Sequence, residues 1–312
     1  MSNPKKVLVL MGGFSSEKGV SLVSGATAAD ALRKVNAYEV ETIDVTREVD
    51  RQIRSSFGGE GPDVVFNALH GPFGEDGTVQ GLLEMMGVPY THSGVLSSAL
   101  CMDKARTKDV LAAAGLRVPG GHVIDIAHLT GKAHPMPAPY VLKPIAEGST
   151  FGVVIIKHTT DPAPRTELLD ADTYHGGAIV EEYIAGRELT VALKGSEALA
   201  ITEIQSDFYD YDAKYSSNAA PHVVPAEIPE EVSREALSMA ERAGRVLGCR
   251  GLSRVDFRWD PERPGVNGLF ILEVNTQPGM TPTSLSAEQA AHRGISFEEL
   301  CQWMVEDASC RR

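Results

Sequence analysis

Residues 252–260 (LSRVDFRWD) and 268–276 (GLFILEVNT) are two segments of strand character joined by the turn-rich stretch PERPGVN, and their pairing constrains the fold more than any other feature. An antiparallel hairpin is the expected arrangement. A register symmetric about residues 264 and 265 sets Asp256 opposite Glu273 and Arg254 opposite Asn275. Side chains alternate faces with period two, so all four share one face. A slip of one residue would break the set. Two carboxylates and a carboxamide, with no His or Cys among them, form a hard-oxygen set. Such a set suits Mg²⁺ or Mn²⁺ held between protein and phosphates better than zinc. Opposed anions repel unless a cation lies between them. The plainer alternative is that Arg254 neutralises the pair as a salt bridge. Beyond Asn275 the backbone enters a loop, QPGMTPTSL, whose two prolines cannot pair as a strand.

The first hundred residues have a different rhythm. KKVLVLMGG reads as a short buried strand, and SLVSGATAADALRKV spaces Leu22, Ala26, Ala29 and Leu32 as a helix. DVVFNALHG reads as a second strand, TVQGLLEMMG as a helix closed by Gly87, and VPY as the start of another strand. This is a parallel α/β pattern. Ligands of such sheets bind at the carboxyl ends of the strands, here in the loops GGFSSEKG and HGPFGEDG. Neither loop fits the dinucleotide fingerprint GxGxxG.

In the middle of the chain, HSGVLSSALCMDKARTKDVLAAAGLRVPG reads as a linker and one helix ending at Gly115. A Pro-rich passage then leads into a strand near Tyr140. EGSTFGVVIIK reads as a glycine-bearing turn between strands, and GGAIVEEYIAGRELTVALKG as two strands around a bend. SDFYDYDAKYSSNAA lacks periodicity and is expected to be a long mobile loop. EVSREALSMAERAGRVLG reads as a helix ending at Gly248. Lys143 follows an apolar strand and precedes a turn whose N–H groups could cradle phosphate oxygens. With Lys104 and Lys214 it supplies cations, without Walker A spacing.

The 312 residues suggest about two domains, and 43% hydrophobic with 23% charged residues is a globular composition. A net charge of −13, from 29 basic and 42 acidic residues, argues against nucleic acid or an anionic membrane as partner. An anionic substrate would therefore need cations gathered at one site. No apolar run approaches the ~18 residues of a membrane span, and no signal peptide precedes the first strand. The four cysteines lack metal spacing and are read as thiols in a reducing cytoplasm.

Six ordered stretches then resemble a known family. MGGFSSEKGVSLVSG, NALHGPFGEDGTVQGLLEMMGVPYTHSGVLSSALCMDK, VLKPIAEGSTFGV, FYDYDAKY, SRVDF and LEVNTQPGMTPTSL together look like the D-alanine–D-alanine ligases of the ATP-grasp superfamily, from Val7 to about Trp303. The resemblance implies an α/β chain with an N-terminal parallel α/β domain (1–97), followed by an ATP-grasp fold of two α+β subdomains (98–183 and 184–312) and a lid loop near 206–220. It implies ATP with two Mg²⁺ or Mn²⁺ ions, D-alanine as both substrates, a peptidoglycan-precursor product and a cytoplasmic homodimer.

It also implies roles. Lys104, Lys143 and Lys214 would meet ATP phosphates, and Phe208 would contact the nucleotide. Glu181 would accept the adenine amine beside Tyr183 and Ile184, and Glu188 would bind ribose. Asp256, Glu273 and Asn275 would hold the metals. Glu17 would take the ammonium of the first D-alanine, with His70 near its carboxylate. Arg254 and the Gly279 N–H would form the oxyanion site, while Ser284 and Leu285 would contact the second D-alanine. Tyr215, bonded with Ser149 and Glu17, would link the lid to the first domain.

Gly19 stands where the family often has a second acid, and Thr150 and Phe151 replace residues that are commonly small or Val. Tyr215 fits a D-alanine acceptor; relatives that use D-lactate tend to carry Phe there. His92 is read as structural or exposed, Trp259 and Trp303 as core or interface residues, Glu182 as a solvated strand position or a backbone contact to adenine, and Asp210 and Asp212 as solubilising charge. Another ATP-grasp ligase, or a binding module that has kept the fold, remains open at this point.

Overall fold

The structure is a computed structural model that describes residues 3–148, 152–175, 177–205 and 220–312. Its N-terminal sheet is parallel, in the order β2-β1-β3, with β1 at Lys5–Met11, β2 at Tyr38–Asp44 and β3 at Val64–Asn67. In β1, Val7, Leu8, Val9 and Leu10 are all fully buried, as a strand covered on both faces requires. Val7 and Val9 pack with helix α1 (Lys18–Arg33), while Leu8 and Leu10 pack with Ile53 of α2 (Val49–Ser55) and Leu83 of α3 (Thr78–Met86). Gly87 ends α3 in the left-handed conformation expected of it. β2 and α2 have no counterpart in the sequence reading. VPY makes no strand, only isolated bridges from Tyr90 to Val65 and to Ser309.

The expected single helix before Gly115 is two, α4 (Val95–Met102) and α5 (Lys104–Ala113), broken at Asp103. Asp103 is extended and caps α5 by accepting from the Arg106 N–H, a local bond that wins over helix continuation. A four-stranded antiparallel sheet follows in the order β4-β7-β5-β6: β4 Gly121–Asp125, β5 Tyr140–Pro144, β6 Val154–Ile156 and β7 Gly177–Glu182. The short helix α6 (Ala171–Tyr174) precedes β7.

The chain then crosses to a five-stranded antiparallel sheet, β10-β9-β8-β11-β12, with β8 at Arg187–Lys194, β9 at Glu197–Ile204, β10 at His222–Val223, β11 at Leu252–Trp259 and β12 at Leu269–Asn275. Helix α7 (Glu230–Leu247) buries Val232, Ala236, Met239, Ala240, Ala243 and Leu247 at helical spacing against it. Leu111 of α5 shares this core rather than that of the four-stranded sheet. Two helices close the chain, α8 (Leu285–His292) and α9 (Phe297–Asp307). Leu300, Met304 and Val305 of α9 complete the core of the N-terminal sheet, so that sheet depends on the far end of the chain. No helix among the described residues is long and apolar enough to cross a membrane.

Candidate active site

The hairpin is β11–β12, and Arg254 pairs with Asn275 and Asp256 with Glu273, as the symmetric register requires. Beyond Asp256 the register shifts, and Phe257 faces Ile271. Leu272 is the extra residue of a β-bulge. The bulge leaves adjacent Leu272 and Glu273 both half-buried and both on the cleft. On β11 strict alternation holds, with Arg254, Asp256 and Arg258 on the cleft side and Val255, Phe257 and Trp259 in the core.

Two cavities meet along this hairpin. The larger, about 500 Å³, lies between the N-terminal loops and the loop after β12. The smaller, about 140 Å³, lies between the two antiparallel sheets. Lys104, Glu147, Arg254, Glu273 and Leu285 line both, so this is where two bound groups could meet.

In the larger cavity, Glu17 stands at the N-terminus of α1 and is buried. Its carboxylate lies against two backbone turns: a Cβ on Gly148 would fall 2.7 Å from Glu17 Oε2, and one on Gly71 3.0 Å. His70 follows β3, with Nδ1 at 2.9 Å from Glu75 Oε1 and Nε2 at 3.2 Å from Ser24 Oγ. Burial pulls its pKa down, but the Glu75 hydrogen bond and the charges of Glu75 and Glu17 outweigh it and hold it above the usual value. At the opposite wall, Ser284 is the N-cap of α8, yet its hydroxyl bonds Thr281 and caps no helix N–H. The first-turn N–H groups of α8, Leu285 among them, thus form a site suited to a carboxylate. A Cβ on Gly279 would meet only Ser284 Oγ, at 3.8 Å, so its backbone faces open space. The loop 276–280 is pinned to the first domain by Gln277, which accepts from Asn67 Nδ2 at 2.8 Å and donates to the Leu69 carbonyl.

In the smaller cleft, Lys143 (β5) and Glu181 (β7) face Asp256, Leu272 and Glu273. Tyr183, Ile184 and Glu188 line its far end. Arg258 braces that end by donating to the Ile184 carbonyl (3.2 Å) and pairing with Glu188 (3.5 Å). Val141, Val153, Ile155 and Ile204 supply apolar walls, a slot suited to a flat ring. Lys104 donates to the Glu147 carbonyl and lies 3.5 Å from Glu273.

The metal candidates come together only in part. Asp256 receives a two-pronged hydrogen bond from Arg254, both contacts 2.8 Å, and a third from Thr190 at 2.5 Å. The salt-bridge alternative for Arg254 is therefore present in this structure. Glu273 lines both cavities, Asp256 only the cleft and Asn275 only the larger cavity. The Asn275 carboxamide oxygen accepts from the Gln277 N–H at 2.8 Å, leaving its second lone pair as a donor. No group of three His, Cys, Asp or Glu placed to hold a metal ion is found among the described residues. The donors nonetheless fit a hard divalent ion, being all oxygen, partly buried and beside a phosphate-sized cleft.

Ser149, Phe208, Lys214 and Tyr215, with the expected lid at 206–219, lie outside the described residues. His92 is structural, as expected. It is buried, and burial followed by the nearby Arg312 charge pushes its pKa down to about 3. Sequence reasoning missed Lys108, which follows Lys104 by one helical turn in DKARTKD and ends on Glu181. The i, i+4 spacing was a usable signal. Glu147, shared by both cavities, also went unremarked.

Two family models match, described as the D-ala D-ala ligase N-terminus over residues 48–93 and C-terminus over residues 129–306. A D-alanine–D-alanine ligase of Cereibacter sphaeroides is 54% identical over 98% of this chain and 97% of its own length. One of Sinorhizobium fredii is 52% identical over 99% of each chain. The chain belongs to the D-alanine–D-alanine ligase family. The crystal structure of a Bacillus anthracis family member complexed with ATP superposes with a TM-score of 0.78 at 31% identity, covering 98% of this chain and 97% of that one. A mixed α/β ATP-grasp architecture is thus common to this family member and its structural neighbours.

Proposed function

We propose that the protein is an ADP-forming ligase that uses ATP to join two D-alanine molecules into D-alanyl-D-alanine, a peptidoglycan precursor, through a D-alanyl phosphate. The observation that carries this reading is the junction at Lys104, Arg254 and Glu273, where a slot walled by apolar side chains opens into a cavity with an acid at one end and a helix N-terminus at the other.

Adenine occupies the slot near Tyr183, Ile184 and Glu181, ribose meets Glu188, and the phosphates run towards Lys143 and Lys104. Glu17 holds the ammonium of the first D-alanine, with His70 beside its carboxylate. A carboxylate oxygen attacks the γ-phosphorus, the bond to the β-phosphate oxygen breaks, and ADP leaves. The lysines reduce the repulsion between the two anions. Asp256, Glu273 and Asn275 would hold Mg²⁺ or Mn²⁺, which supplies charge neutralisation on the phosphates when bound.

The second D-alanine places its carboxylate at Ser284 and the α8 N-terminus. Its neutral amine attacks the acyl carbon, the acyl C–O bond to the phosphate breaks, and the departing phosphate takes up the amine proton. Arg254 and the Gly279 N–H receive the oxyanion, where one such donor is typically worth ~10²–10³ in rate. Acyl phosphate hydrolyses in water, so cover is needed. The resemblance assigns this to 206–220, with Phe208 and Lys214 on the nucleotide and Tyr215 bonded to Ser149 and Glu17. We assign substrate-binding, central and C-terminal domains to 1–97, 98–183 and 184–312, although 101–116 contributes side chains to the core of the last. A cytoplasmic homodimer completes the reading.

ADP release tests this. D-alanine should elicit it and L-alanine alone should not, and D-lactate added beside D-alanine should yield no D-alanyl-D-lactate. ADP no higher than background with any amino acid would point to a binding module, and turnover with D-lactate above D-alanine would reassign the acceptor.

A further inference from the structure

Lys108 lines neither cavity, yet it is part of a buried charge cluster at the edge of the cleft. Its ammonium contacts Glu181 Oε2, while that of Lys143 lies 2.5 Å from Oε1. The three residues are only 5%, 8% and 2% exposed for Lys108, Lys143 and Glu181. One lysine would neutralise one carboxylate, and burying a second ammonium carries a desolvation cost. Burial, then the Lys143 charge, draws Lys108 down to about 7, whereas Lys143 stays raised and Glu181 stays low.

The two lysines differ in position. Lys143 rises from β5 into the cleft, where a triphosphate can draw it away from Glu181. Lys108 comes from α5, behind the carboxylate, where a ligand in the cleft does not line up with it. Were Lys143 the sole partner, its move to the phosphates would leave a buried carboxylate uncompensated and liable to take up a proton. A protonated Glu181 would be a poorer acceptor.

We propose that Lys108 is a positioning residue for nucleotide selection: it stays on Glu181 Oε2 while Lys143 turns to the phosphates, keeping the carboxylate ionised with Oε1 turned to the exocyclic amine of a 6-aminopurine. This rests on the reading of Glu181 as the adenine acceptor. It makes Lys108 a determinant of preference for a 6-amino over a 6-oxo purine, without contact to the nucleotide.

The test is steady-state kinetics of K108M, K108R, K108Q and E181Q with ATP and with inosine triphosphate, each variant checked for fold by circular dichroism. K108M should raise KM for ATP by about tenfold or more, leave kcat within about threefold, and lower the ATP over inosine triphosphate preference by about tenfold. K108R should restore all three; K108Q, which keeps a donor without charge, should fall between and serves if K108M does not fold. An unchanged ATP preference in the folded neutral variant, a loss confined to kcat, or failure of Arg to rescue would overturn the proposal. E181Q separates the two levels. Intact ATP preference in E181Q would remove Glu181 as acceptor, whereas its loss in E181Q but not in K108M or K108Q would remove Lys108 alone.

Discussion

At the scale of single residues, the site is a set of charges whose partners decide their chemistry. Glu273 is one of two acids, with Glu147, that line both cavities, and it alone of the two lies on the hairpin, so Glu273→Gln should abolish turnover at saturating Mg²⁺ with an unchanged circular dichroism spectrum. Near-normal activity would contradict its assignment to the metal. His70 gives a pH prediction. Its pKa is raised above the unfolded value of 6.5, so the stabilisation from its protonated form is complete below 6.5. It is lost as pH rises through the higher folded-state pKa. Glu75→Gln removes the charge that opposes burial and replaces a carboxylate acceptor by a weaker amide oxygen, so the His70 pKa should fall, read from its ring proton shifts by NMR. The stability gap between the two proteins should then narrow as pH rises. A pKa unchanged by the substitution would show that Glu75 does not control it. Such partners were only partly legible: the acids and lysines stand out in the sequence, but Lys108 acquires meaning only where α5 brings it behind Glu181.

At the scale of elements, the hairpin shows what alternation can and cannot deliver. The pairing of Asp256 with Glu273 follows from symmetry, because those residues lie on the regular side of the bulge. The bulge itself has no sequence signature here, since Leu272 reads as one more strand residue. Its effect is to give the cleft an apolar wall directly beside the Glu273 carboxylate. Leu272→Ala should therefore raise KM for ATP several-fold, at roughly 25 cal/mol for each Å² of apolar surface the nucleotide no longer covers, with kcat little changed. Unaltered KM would place the nucleotide elsewhere. β2 (YEVETID) and β9 (EALAITEI) were missed, and their pairing with β1 and β8 is what identifies them as strands. The break between α4 and α5 was missed because an Asp inside helical spacing becomes a cap only once its side chain has turned to Arg106.

At the scale of the whole molecule, the cleft takes residues from α5, both antiparallel sheets and the first residue of α8, so nucleotide binding should stabilise those elements together. ATP with Mg²⁺ at about a hundred times its Kd should add about 2.7 kcal/mol and raise the thermal midpoint by a few degrees. A midpoint that ignores the nucleotide would argue that these elements do not share a ligand. The sequence by itself determined the parallel start and the hairpin that pairs Asp256 with Glu273, because periodicity and spacing are local properties of a chain, and six ordered stretches carried the resemblance to the family. The tertiary structure alone decided that α9 closes the N-terminal core, that two cavities share Lys104, Arg254 and Glu273, and that a second lysine backs Glu181. Those facts join residues far apart along the chain, and only packing, which responds to buried area and desolvation rather than to sequence order, can bring them together.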